Sequence, residues 1–118
     1  MYNSLTVHAM VHQTRLDKFT RSTKDVPQFW DRFCYCIGGH VYSLDDIEHG
    51  ALRDNQGHPS SDKPRFDEGD PRTRAVCSPL DPRIHFALNC GAKSCPPIRV
   101  YLEERYGTLF IRSLMVLS

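Results

Sequence analysis

The chain has 118 residues, 40% of them hydrophobic and 25% charged, with a formal net charge of +1. That length limits it to one domain, and that composition fits a folded protein rather than a disordered tail. A near-neutral charge excludes bulk attraction to nucleic acid or an anionic membrane, and no run of ~18 apolar residues is present to span one.

The N-terminus lacks the basic-then-apolar pattern of a secretory signal, which points to the cytoplasm. The five cysteines, Cys34, Cys36, Cys77, Cys90 and Cys95, are an odd number. In that compartment they are expected as reduced thiols rather than as a disulfide framework.

Tyr2 to Phe19 reads as a helix, with Leu5, His8, Ala9, His12, Leu16 and Phe19 at helical spacing. Val7, Met10 and Val11 make its other side apolar too, so the helix is expected to be buried on most sides. Arg21 to Pro27 is a polar connector. Phe33, Tyr35 and Ile37 alternate, Gly38-Gly39 follows, and His40-Val41-Tyr42 returns, which spells a short hairpin. Trp30, beside Phe29 and Phe33, is expected in the core.

Ser43 to Asp46 has the form of a capping box, and Leu44, Ile47, Ala51 and Leu52 share a face, which predicts a helix over 44–53. His49 falls on its polar side and is expected to be solvated. Residues 54–80 hold most of the prolines and close-spaced charges. They form a long irregular loop, either a functional lid or a linker.

Asp81 and Pro82 suit a helix start and Gly91 a stop. Ile84, Phe86, Leu88 and Cys90 alternate, which would equally suit a strand; the favoured expectation is a short helix, with Phe86 and Leu88 buried beside the Ile47 and Leu52 face. Pro96-Pro97 forces an extended exit. From Leu102 onward the spacing is again helical, and Leu114 to Leu117 is an apolar end that needs a partner surface. The expected fold is a single α+β domain over residues 1–118, helix-dominated, with one small β-hairpin.

The run from Asp81 to Arg99 concentrates the usable chemistry. Cys90 or Cys95 could serve as a thiol nucleophile, His85 as its base, and Asn89 or Asn3 as the orienting group. The turn between the two cysteines could present backbone N–H groups to an oxyanion. The bland alternative makes Cys90 a core residue. Arg83, Lys93 and Arg99 could bind a carboxylate or phosphate, or pair with nearby acids instead.

No metal site or cofactor is expected. Zinc would want a paired Cys-x-x-Cys, which is missing, and Cys34 and Cys36 are expected to face opposite ways on a strand. His8 and His12 are one helical turn apart but lack the glutamate of a zinc protease motif. His8 is expected in the core and His12 at the surface.

Three ordered blocks resemble the family catalogued as domain of unknown function 547. They are Tyr2-Asn3 followed by His8, the segment Ile37 to Arg53, and Asp81 to Arg99. Met1 cuts into the first block and the likeness fades after Tyr101, so a truncated copy is expected. The resemblance implies a module of larger proteins, which carry it beside coiled-coil, DEP or glutaredoxin-like regions, and it implies no established activity. Two functions follow as expectations. One is a protein-interaction or structural module that meets other proteins through exposed apolar ends. The other is a Cys-His hydrolase or acyltransferase.

Overall fold

A computed structural model describes residues 1–16 and 22–98. The helix expected from Leu102 onward and the apolar end at Leu114 to Leu117 lie outside the described residues. The architecture is α+β. In chain order come α1 (Tyr2–Leu16), a 3-10 turn (Thr23–Asp25), α2 (Phe29–Arg32), β1 (Cys34–Ile37), β2 (His40–Ser43), a π-helix (Asp46–Leu52), and two further 3-10 turns (Pro71–Ala75 and Pro82–Phe86). The described residues fall into two compact units, one of 1–16, 22–29 and 83–98, the other of 30–82.

In the first unit, α1 buries a narrow stripe of Tyr2, Asn3, Thr6, Ala9 and Gln13. Thr6 and Ala9 are small, and the Thr6 hydroxyl donates back to the Tyr2 carbonyl at 3.1 Å, so the helix lies close against its surroundings. The expectation of a helix buried on most sides is corrected. Val7 and Val11 are exposed, as is His8, which stacks on His12 with ring centroids 6.5 Å apart. His8 is therefore a surface residue and not a core one. The apolar residues that set the sequence period outnumber those the unit can cover.

The Pro82–Phe86 turn is 3-10 rather than α. At three residues per turn Ile84 and Ala87 fall on one face, and both are buried. Leu88 is buried as expected, but Phe86 points away and is 79% exposed. The tighter winding is the reason, since the expected burial of Phe86 assumed the wrong period.

In the second unit, β1 and β2 form an antiparallel hairpin with Tyr35 opposite Tyr42 and Ile37 opposite His40, turning at Gly38-Gly39. Cys34 and Cys36 are both exposed. The expectation that they diverge is corrected, because side chains two apart on a strand share a face. Trp30 is half-buried rather than core.

The expected capping box forms. The Ser43 N–H donates to Asp46 at 2.9 Å and the Asp46 N–H donates to the Ser43 hydroxyl at 3.0 Å. The helix it starts is wound as a π-helix from Asp46, with Ile47, Ala51 and Leu52 buried beside Leu44 and Tyr42. The long loop is anchored to it. Phe66 is buried, its ring lies against Gly50 where any side chain would collide, and the Asn55 side chain brackets the Phe66 backbone with bonds of 2.8 and 3.0 Å. At the far end the Cys77 N–H donates to the Ala51 carbonyl at 2.7 Å.

Candidate functional site

The cysteine loop of the first unit is built on side-chain-to-backbone hydrogen bonds. Asn3 on α1 donates to the Ala87 carbonyl at 2.8 Å and accepts the Asn89 N–H at 2.8 Å. Asn89 then accepts the Gly91 N–H and donates to the Pro96 carbonyl, each at 2.8 Å, so one amide closes both ends of the loop. Thr23 donates its hydroxyl to the Cys90 carbonyl at 3.1 Å. Gly91 has φ +84°, and a side chain there would meet Thr23 and Met10. Both the reversal and the close approach therefore require glycine.

This framework sets the two sulfurs together. Cys90 Sγ and Cys95 Sγ are 3.0 Å apart, and the Cys90 N–H points at Cys95 Sγ at 3.3 Å. Both residues are half-buried, and neither is in a disulfide. His85 is exposed on the Pro82–Phe86 turn, and Asn3 and Asn89 hold backbone groups. The loop N–H groups of Cys90, Gly91 and Cys95 already have acceptors at Cys95 Sγ, Asn89 and Ala92. Arg83 and Lys93 are exposed, and Arg99 lies outside the described residues.

Beside the loop runs an open groove of about 600 Å³, lined by Val7, Met10, Val11, Ala92 and Ile98 with Arg15 as its charged member. Thr6 and Thr14 also line it, with their hydroxyls donating to the Tyr2 and Met10 carbonyls.

The second unit holds a charged cluster that sequence reasoning missed. Asp46 accepts Arg65 Nε at 2.6 Å and Arg72 Nη1 at 3.0 Å. Arg65 also reaches Asp31 at 2.6 Å, and Arg72 reaches Asp70 at 2.9 Å and lies over the Phe66 ring at 4.6 Å. Burial pushes the Asp46 carboxyl up, but the Ser43 amide and Arg65 outweigh it and hold it below the usual carboxylate range. These bonds make residues 65–72 an ordered clasp. Arg65 and Arg72, close together in a loop around Phe66 and three acidic residues, were the available signal.

Asp45, Glu48 and His49 offer ligand atoms within 4.8 Å of one another. His49 is buried, which corrects its expected solvation. Arg53, which can only donate, lies 2.8 Å from His49 Nδ1, so the proton of the neutral ring sits on Nε2, facing Asp45 at 3.7 Å. That tautomer offers a cation no lone pair there. Burial lowers the pKa of His49 and favours this neutral ring, opposed by Glu48 and reinforced by Arg53. Burial also pushes the Asp45 carboxyl up to about 6.

The family model described as Protein of unknown function, DUF547, matches residues 1–110, which include both units' clusters and the whole cysteine loop. The chain belongs to the DUF547 family. Comparison with curated proteins and with solved structures returns no match. Membership of DUF547 assigns no role to any residue here. Among the described residues, no helix is long and apolar enough to cross a membrane.

Proposed function

We propose that this DUF547 chain is a protein-interaction module, and that the groove between α1 and the cysteine loop takes an apolar peptide segment carrying an acidic residue. The observation that carries this reading is the groove's chemistry. Val7, Val11 and Ile98 are 42%, 47% and 46% exposed, side by side on one lining. Arg15 is its charged group, so a carboxylate complements it. The groove is open, whereas small-molecule sites enclose most of their ligand. An extended or helical segment lying on the surface fits that shape better.

The test is selection from a phage-displayed library of random peptides on the immobilised chain. Recovered sequences should pair large apolar residues with Asp or Glu. Val11→Asp, at an exposed position that leaves the fold intact by circular dichroism, should weaken them by about tenfold or more, the loss expected for charging an apolar contact. Arg15→Glu should remove the acidic preference. Equal recovery on the Val11→Asp chain overturns the proposal. So does saturation of the groove by a simple fatty acid while no peptide is enriched.

A further inference from the structure

We propose that Cys90 and Cys95 form a dithiol site that a small anionic disulfide of the glutathione class oxidises to an intramolecular disulfide. Three observations converge on this pair. Their sulfurs are in contact at 3.0 Å, while Cys34 and Cys77 direct their thiols to the Asp31 and Ala75 carbonyls. The loop between them is held by the Asn89 amide at Gly91 and Pro96, so the pair is arranged before any oxidant arrives. Both sulfurs are half-buried rather than sealed, and Lys93 is exposed on the same loop to attract an anion.

The step balances without a metal or a further reductant. One thiolate of the pair attacks a sulfur of the glutathione disulfide. A protein–glutathione S–S bond forms, and one glutathione thiolate leaves. The second thiolate then attacks the protein sulfur of that mixed disulfide and expels the second glutathione. Two electrons pass from the protein to glutathione, and the two thiol protons end on the two released glutathione molecules. The second attack is intramolecular across a fixed contact, so it outruns release of the mixed disulfide by any outside thiol. The site does not depend on the groove being occupied.

The sequence supplies its own assay, because Lys93 lies between the two cysteines. The purified chain is equilibrated in glutathione buffers of rising disulfide content, quenched with iodoacetamide and digested with trypsin. Oxidised chain should yield peptides 84–93 and 94–99 joined, and dithiothreitol should part them. Cys34, Cys36 and Cys77 should remain alkylated at buffers about tenfold more reducing than those that oxidise them. Cys90→Ser and Cys95→Ser should each hold glutathione on the remaining loop thiol, whereas the unaltered chain should hold none. Alkylation of both loop cysteines at every ratio overturns the proposal. So does stable glutathione on the unaltered chain's loop, or a bond from either cysteine to Cys34, Cys36 or Cys77.

Discussion

Asn3 offers the sharpest test of how the first unit is held together. It is buried at 6% exposure, and its amide serves the Ala87 carbonyl and the Asn89 N–H, 84 and 86 residues away in the chain. Asn3→Ala removes both partners at once. A buried backbone group left without a partner costs ~1–3 kcal/mol, and Asn89 is less buried than Ala87, so the expected loss is ~2–4 kcal/mol. Asn3→Asp separates the two bonds. Its carboxylate still accepts the Asn89 N–H but sets a second oxygen against the Ala87 carbonyl. Only a protonated acid can donate there, so the folded state raises this group's pKa above the unfolded one. The folded chain then binds the extra proton, and the variant's stability relative to the unaltered chain falls as pH rises past ~4. Urea unfolding followed by circular dichroism, across pH, measures both variants. Asn3→Ala should show a deficit that does not change with pH. Asn3→Asp should approach the unaltered chain in acid and match or exceed the alanine deficit at neutrality. A deficit below ~0.5 kcal/mol for Asn3→Ala, within the range of surface substitutions, or an Asn3→Asp deficit flat with pH, would refute the clamp.

In the second unit, Leu52→Ala should cost ~2–5 kcal/mol by the same unfolding measurement, as buried leucine truncations do, because Leu52 is 6% exposed on the π-helix. The neighbouring carboxyls should oppose each other in pH. Asp45 is raised from 3.8 to about 6 by burial, so its charge destabilises the fold increasingly from pH 3.8 to about 6 and fully above. Asp45→Asn should therefore gain ~1–3 kcal/mol at pH 7 and nothing below pH ~4, at about 1.4 kcal/mol per pKa unit. Asp46 is depressed, so its stabilisation is present above pH 3.8 and lost as pH falls through its folded value. Asp46→Asn should lower stability at pH 7 and flatten the acid limb, and an unchanged acid limb would count against the arginine clasp.

The parts of the fold legible in the sequence are those fixed by neighbours. The Gly38-Gly39 hairpin and the Ser43–Asp46 capping box need contacts no more than a few residues apart, so local chemistry determined them. The α1 period located a helix and its buried Ala9, but the expectation of burial on most sides overran the one stripe that is covered. Leu5, His8, His12 and Leu16 repeat as cleanly as Tyr2, Thr6, Ala9 and Gln13, and only the rest of the unit decides between them. Phe86 failed for a related reason, since alternation and helical spacing say nothing of a 3-10 turn. The Arg65 and Arg72 clasp spans 19 and 26 residues to Asp46, beyond any periodic signal.

The cysteine motif shows what residue type alone leaves undecided. By residue type Asn3 and Asn89 suit the orienting of a base, and the turn at Gly91 suits an oxyanion hole. Here Asn3, Asn89 and Thr23 bind main-chain atoms, and Gly91 permits the approach that lets them. A loop that must hold one irregular shape at a surface needs its polar backbone groups satisfied from outside regular structure. These residue types are the ones that can do it. Within the described loop, the pair of touching thiols and the exposed Lys93 stand apart from these framework bonds to main-chain atoms. The same framework presents Ala92 and Gly91 to the groove beside α1. The motif's density of polar residues thus follows from shaping a surface loop. Its two sulfurs are the groups that shape brings into contact.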